Sequence, residues 1–514
     1  MPQCECRFYC RQYLRVWILV NLATSCLWSA AALRMPTLRS LKTAEVLQDE
    51  RSRAERLMRF IDHSPEPFHV VESVIDSLRA QGFEGLREED NWVLKPGGKY
   101  YFTRNRSSIL AFALGGKYSP HEGSAFKVIG AHTDSPTLKI KPRSKRPTAA
   151  GLCQVSVETY GGGLWHTWFD RDLSLAGRVI VREGSGFKSR LVKCNKAVLR
   201  VPNLAIHLRT QAERDSFTVN KEDHLQPILC EEVAKALSTP SDKDEEKDQW
   251  ASEQQPELLQ LLAKELSVEM GDILDFELSV YDLQKASFSG SNDEFVVSSR
   301  IDNLASCFTA LESLNEYAAS DAMKEDAEVS VIALFDHEEV GSESNPGAGS
   351  NLMGECVRRI CSAFQCSDLS SSIAKSLVLS VDMAHALHPN YLGKHDKQHS
   401  PMLNRGVVIK HNSNQRYATN GETAFIIREL ARGEGVPVQE FIVRNDCPCG
   451  TTIGPIISSN TGMRAIDLGM PQLSMHSIRE MMGASDLTFA TKLFTSFFQG
   501  KHTAIDNQLR QSTR

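Results

Sequence analysis

The feature that most constrains this chain is a set of short, mostly apolar runs that each lead into a histidine or a carboxylate. Residues 127–131 lead into His132, Val329–Phe335 into Glu338 and Glu339, and Leu377–Val381 into Asp382. Continuous apolar runs of this length read as strands buried on both faces, the pattern of a parallel sheet covered by helices. Helical patterns stand around them. Leu47, Leu57, Met58, Phe60 and Ile61 open the chain's first one, and Leu304, Phe308, Leu311 and Leu314 share one face after Asp302. Further helices are expected at 422–431, with Gly433 as the stop, and at 487–498, with another strand at 441–443. This alternation predicts an α/β fold built on a mixed, largely parallel sheet flanked by helices.

The alternation breaks between residues 138 and 288. Segments 154–158, 177–181 and 191–193 alternate or are β-branched, as antiparallel strands are. Residues 238–257 are rich in Asp, Glu, Lys, Ser and Gln, which predicts a mobile acidic loop. We therefore expect a discontinuous domain of residues 39–137 and 289–505, with a mainly-β domain of residues 138–288 inserted into it. A chain of 514 residues is long enough for two sizeable cores.

Residues 1–38 form an N-terminal extension. There, Arg11 and Arg15 precede an apolar stretch, 16–33, that ends in small residues and resembles a signal peptide or short anchor. The competing reading is an extension upstream of Met35, because the stretch holds Asn21, Thr24 and Ser25 and is short for a spanning helix.

With 58 basic and 64 acidic residues, the formal charge of -6 gives no reason to expect nucleic acid or an anionic membrane as partner. The 13 cysteines are scattered, and Cys447-Pro448-Cys449 has neither zinc-binding nor redox spacing. They read as reduced, mostly buried thiols, which favours the cytoplasm. The secretory pathway is the alternative if residues 1–34 act as a signal.

Open α/β sheets bind ligands beyond the carboxyl ends of their strands. His132, Glu338, Glu339 and Asp382 stand at such ends, Asp302 opens a helix whose exposed N–H groups favour a carboxylate, and His476 follows a short apolar segment. Taken singly, each has a bland reading. A lone histidine is more often structural, Asp302 could be a helix cap, Asp382 a turn residue before His385 and His388, and adjacent glutamates a solvated surface pair. Together, two histidines and several carboxylates suit a pair of borderline divalent ions such as zinc, with one carboxylate shared. Asp134, two residues beyond His132, could orient its ring.

The segments Gly130-Ala131-His132-Thr133-Asp134-Ser135-Pro136, Tyr160-Gly161-Gly162-Gly163-Leu164-Trp165, Ser299-Arg300-Ile301-Asp302-Asn303, Asp382-Met383-Ala384-His385 and Met475-His476-Ser477-Ile478-Arg479-Glu480 carry a resemblance. With residues 168–173, 336–342 and 449–455, they make the chain similar to the aspartyl aminopeptidases, exopeptidases with two co-catalytic metals. The shared pattern covers roughly residues 45 to 500 and leaves out the first 38 residues and the acidic loop.

The resemblance implies a di-zinc exopeptidase-like catalytic domain, with one position open to Mn2+ or Co2+. It implies His132 and Asp382 on one ion, Glu339 and His476 on the other, Asp302 bridging, Glu338 as general base and Asp134 as orienter of His132. The inserted block resembles a dimerisation domain whose His207 reaches the partner subunit's active site. Read from the sequence alone, His207 is a polar residue on an interface strand.

Lys410 matches the residue that meets an acidic substrate side chain, with Tyr417 and Met383 lining the same pocket, although on sequence alone Lys410 reads as a solvated lysine. The implied assembly is a homo-oligomer, a tetrahedral dodecamer built from dimers, and the implied substrates are peptides with N-terminal Asp or Glu. Competing functions are a related di-metal dipeptidase or deacylase, and a non-catalytic scaffold of the same fold.

Overall fold

The computed structural model describes residues 43–119, 124–232, 249–366 and 368–512. Met1–Ser52 and Arg53–Arg514 divide as two units, and the sheets and the site lie wholly in the second. The leader-like stretch before Met35 falls outside the described residues. No described helix is long and apolar enough to cross a membrane.

Nine strands form one sheet among the described residues, and its centre explains the apolar runs. Val329–Phe335, Phe126–His132, Leu377–Val381 and Arg464–Gly469 lie side by side and parallel. The first three are buried at every position, so both faces must be covered, and continuous apolarity follows. Antiparallel partners extend the sheet: Ser108–Leu114 pairs with Val329–Phe335, and Val407–His411 with Arg464–Gly469.

Helix Ile301–Ala318 packs on one face through Leu304, Phe308, Leu311 and Leu314, all buried. Ala484–Phe498 packs on the same core. On the other face, Leu352–Ala363 and Ile453–Thr461 close a second core around Phe112, Phe126 and Phe335.

Two sequence boundaries shift. The helix expected to stop at Gly433 runs from Gly421 to Glu434, because Gly435 is the residue that adopts the left-handed conformation, at φ 64°, and caps it. The strand expected at 441–443 is Val438–Ile442, paired in parallel with Val407–His411.

Residues 137–282 supply a separate six-stranded sheet whose strand pairs are all antiparallel. It encloses its own core around Trp165, Trp168, Leu173 and Val280, closed by helix Pro256–Leu266. That helix corrects the expected acidic loop. Residues 238–248 lie outside the described residues, but Gln249–Ser252 is helical and Glu257 sits in the first turn of Pro256–Leu266. Gln254 is fully buried there, its amide oxygen accepting from the Ser144 N–H and hydroxyl. Polar composition resembled disorder, yet the polar atoms satisfy buried backbone.

A third, five-stranded sheet is built from strands of two to four residues: Ser287–Ser289, Phe295–Ser298, Glu480–Gly483, Pro471–Leu473 and Ala384–His385. It brings the loops bearing Asp302, His476 and Asp382 to one place.

Candidate metal centre

Parallel pairing puts the ends of three strands at one edge. His132 closes the central strand, Glu338 and Glu339 follow its neighbour on one side, and Asp382 follows its neighbour on the other. His132 Nε2 lies 3.4 Å from Asp302 Oδ1, 3.7 Å from Asp382 Oδ1 and 3.9 Å from Glu338 Oε2. His476 Nε2 lies 3.3 Å from Glu339 Oε2 and 3.6 Å from Asp302 Oδ2. Three overlapping donor sets result, His132–Asp302–Asp382, Asp302–Glu339–His476 and His132–Glu338–Glu339, and Asp302 belongs to the first two.

The imidazoles are held so that Nε2 faces the cluster. His132 Nδ1 donates to the Asp134 carbonyl at 3.0 Å, and His476 Nδ1 donates to the Gly162 carbonyl at 3.1 Å. Each ring therefore turns its Nε2 towards the carboxylates, the orientation that a metal ligand needs. Gly161 is required where that segment crosses the site. Its φ is +75°, and a Cβ there would stand 3.2 Å from Glu339 Cβ.

Asp134 does more than face His132, whose Nδ1 is 3.4 Å from its Oδ1. Its carboxylate accepts the backbone N–H groups of Glu338 (3.1 Å) and Glu339 (3.0 Å) and the Tyr160 hydroxyl (2.6 Å). It thus pins the turn that presents both glutamates.

Glu480, the last residue of the segment that carries His476 and not among the expected site residues, is 2% exposed. It accepts from the backbone N–H of Asp302 at 3.0 Å and of His476 at 2.8 Å. This corrects how Asp302 is held. Its backbone is not helical (φ -81°, ψ 105°) and the helix start has no side-chain cap, so Glu480 rather than a helix end positions it.

The electrostatics fit a bound cation. Asp302 Oδ1 and Glu339 Oε1 are buried without a hydrogen-bond partner, which costs free energy unless a cation meets them. Burial pushes the Glu339 carboxyl up to about 7, with Asp302 adding to the rise. Burial also holds Glu338 well above the usual carboxylate range, with Asp382 and Glu339 contributing. Crowded carboxylates that hold protons at neutral pH are sites where a divalent ion replaces those protons.

A cavity of about 300 Å³ opens on this cluster, and Met383, His385, Lys410, Tyr417 and Phe441 line its far side. Lys410 is 3% exposed, not the solvated lysine of the bland reading. Its Nζ stands 3.5 Å from Asp382 Oδ2 and 5.5 Å from the Tyr417 ring centre. Behind them, buried Asp467 accepts from Ala418 N–H at 2.6 Å and the Thr452 hydroxyl at 2.5 Å, tying two loops of the cavity wall together. His207 is not in the cavity of its own chain. It is exposed on the 3-10 turn Ile206–Leu208, not on a strand, between exposed Ile206 and Leu208.

Residues 60–498 match the aminopeptidase I zinc metalloprotease (M18) family. The chain is 44% identical to an aspartyl aminopeptidase of Dictyostelium discoideum over 475 residues, 88% of this chain and 97% of that one. Among solved structures it is similar to the cryo-EM structure of the Ape4 and Nbr1 complex (TM-score 0.85, 43% identity, 89% of this chain and 87% of that one). It is also similar to the Saccharomyces cerevisiae mApe1 dodecamer (TM-score 0.78, 33% identity, 88% and 98%). The donor sets described above therefore stand in a metal-dependent aminopeptidase, and the chain belongs to the M18 family of zinc metalloproteases.

Proposed function

We propose that the protein removes N-terminal Asp, and also Glu, from peptides, using two divalent ions. His132 and Asp382 would hold one, Glu339 and His476 the other, with Asp302 between them. Zinc fits this mixture of imidazole and carboxylate, and one position accepts Mn2+ or Co2+. When bound, the pair polarises the scissile carbonyl and lowers the pKa of the attacking water. The negative cluster also favours the substrate's free amino group, which suits an aminopeptidase.

Glu338 is the base. It faces His132 at 3.9 Å and, although it also groups with His132 and Glu339, it is absent from both donor sets that share Asp302. It takes the proton from water and returns it to the leaving amine. Asp134 holds Glu338 and Glu339 in register by accepting both backbone N–H groups. His207 of the partner subunit donates to the developing oxyanion. Residues 138–288 accordingly act as an inserted dimerisation domain, and the dimers assemble into a tetrahedral dodecamer, on the precedent of the mApe1 dodecamer. A reducing, cytoplasmic setting suits a chain whose nine described cysteines stand as thiols.

One observation carries the acidic preference: the buried Lys410 ammonium in the cavity wall. A substrate carboxylate would give it a charge-assisted partner, with Tyr417 and Met383 shaping the pocket. Lys410→Ala is expected to lower kcat/KM on Asp and Glu anilides roughly tenfold to a hundredfold, given the usual worth of a charged hydrogen bond. Leu anilide should be little affected. An equal loss on all three substrates overturns the proposal.

A further inference from the structure

A further set of metal-competent donors stands outside the catalytic cluster, in the antiparallel sheet: Cys153, Cys230 and Glu257. Nothing in their sequence spacing suggests it. Cys153 lies on Leu152–Tyr160 and Cys230 on the neighbouring antiparallel strand Ile228–Glu231, and the two are directly opposite in register. The register slips immediately after this pair, between Cys153 and Gln154, and such a bulge re-aims side chains. Glu257 comes from a third element, the first turn of helix Pro256–Leu266. Two sulfurs and one carboxylate oxygen from these residues all lie within 4.8 Å of one another.

We propose that Cys153, Cys230 and Glu257 form a thiolate-rich zinc site, separate from the catalytic centre. Borderline divalent zinc takes thiolate and carboxylate together, with Zn–S distances of ~2.3 Å, and a water completes a tetrahedron here. The Gln255 amide donates to Glu257 Oε2 at 2.6 Å, an outer hydrogen bond of the kind that orients a ligating carboxylate. Cys153 is 1% exposed while Cys230 and Glu257 are half-buried, so an ion enters from their side.

On binding, both thiols release their protons to solvent and the sulfurs remain as thiolates, so affinity rises with pH. The ion would tie two strands and a helix from three separate stretches of the chain. A disulfide between the opposed cysteines is the rival outcome. The carboxylate at the same point favours the metal, because a disulfide has no use for it.

Cobalt distinguishes this site from the catalytic one. The catalytic donors proposed above are all nitrogen and oxygen, so sulfur-to-cobalt charge-transfer absorption in the near-ultraviolet reports on the cysteines alone. The full-length protein, kept reduced and stripped of metal, is titrated with Co2+. The expected result is a charge-transfer band whose final intensity corresponds to one sulfur-ligated cobalt per chain, reached within about three equivalents because the catalytic positions also fill, and which is lost in Cys230→Ser, with Asp-anilide turnover unchanged. Glu257→Gln, which leaves both thiols in place, should weaken cobalt binding at this band about tenfold, in line with other ligand-shell losses. Wild-type protein without the band overturns the proposal, as does a band that survives Cys230→Ser or a Cys153–Cys230 disulfide that persists in excess reductant.

Discussion

Strand Val329–Phe335 is buried at all seven positions, while strand Gly186–Lys193 of the antiparallel sheet buries one residue in eight. The two regions also differ in where they send the chain. Parallel neighbours cannot be joined by a tight turn, so every strand of the central group hands over to a loop at the same edge. Residues as far apart as His132, Glu338, Asp382 and His476 are thereby collected at one point. Antiparallel strands reverse at both ends, so their functional groups disperse to either edge. Side chains there meet across a strand pair, as Cys153 and Cys230 do, rather than at a common edge. The difference shows why the chemistry gathers in one region and the exposed His207 turn belongs to the other.

The largest effect expected from breaking this arrangement comes at the shared carboxylate. Asp302→Asn should release both catalytic ions and lower turnover roughly 10³-fold or more, since a catalytic metal lowers the barrier by several kcal/mol. Metal analysis alongside peptidase assay checks it, and retention of both ions would remove Asp302 from its bridging place.

The core comparison comes next. Phe335→Ala, at a fully buried position, should cost about 3–5 kcal/mol in denaturant unfolding. Phe187→Ser, at a position 71% exposed on the antiparallel sheet, should stay within about 0.5 kcal/mol. Similar losses at the two positions would mean that the outer face of the antiparallel sheet is covered.

A smaller, pH-dependent effect is expected at His502. Burial, with Lys127 nearby, lowers this imidazole from 6.5 to about 3. As pH falls below 6.5, the unfolded chain takes up the proton before the folded one, so stability is lost towards pH 3, by at most ~1.4 kcal/mol per pH unit. His502→Gln should flatten that slope, and unfolding of both proteins between pH 7 and 4 measures it. Identical slopes would show that His502 is protonated in the fold.

Much of the central sheet was legible because a strand buried on both faces writes itself as a local apolar run, and the ligand residues follow such runs directly. The five-stranded sheet was not legible, since strands of two to four residues leave no periodic signal. Glu480 was missed as a positioning residue for a related reason. Its value lies in two backbone N–H groups brought to it by folding, one of them Asp302's, and nothing adjacent in sequence marks that. Gly433 was read as the helix stop, but the left-handed cap falls two residues on, at Gly435, where φ rather than residue type decides. Lys410 is a different case. Burial of a lysine runs against its usual placement, so its residue type pointed away from the cavity that holds it.

Two adjacent carboxylates have separate jobs in the proposed mechanism, and one paired measurement addresses that directly: metal content and turnover of Glu338→Gln beside Glu339→Gln. Glu338→Gln should keep its full complement of metal while turnover falls by about 10²–10⁴, the usual worth of a general base. Glu339→Gln should lose one equivalent of metal. Glu338→Gln protein that turns over normally, or Glu339→Gln protein that keeps all its metal, would contradict the division of roles.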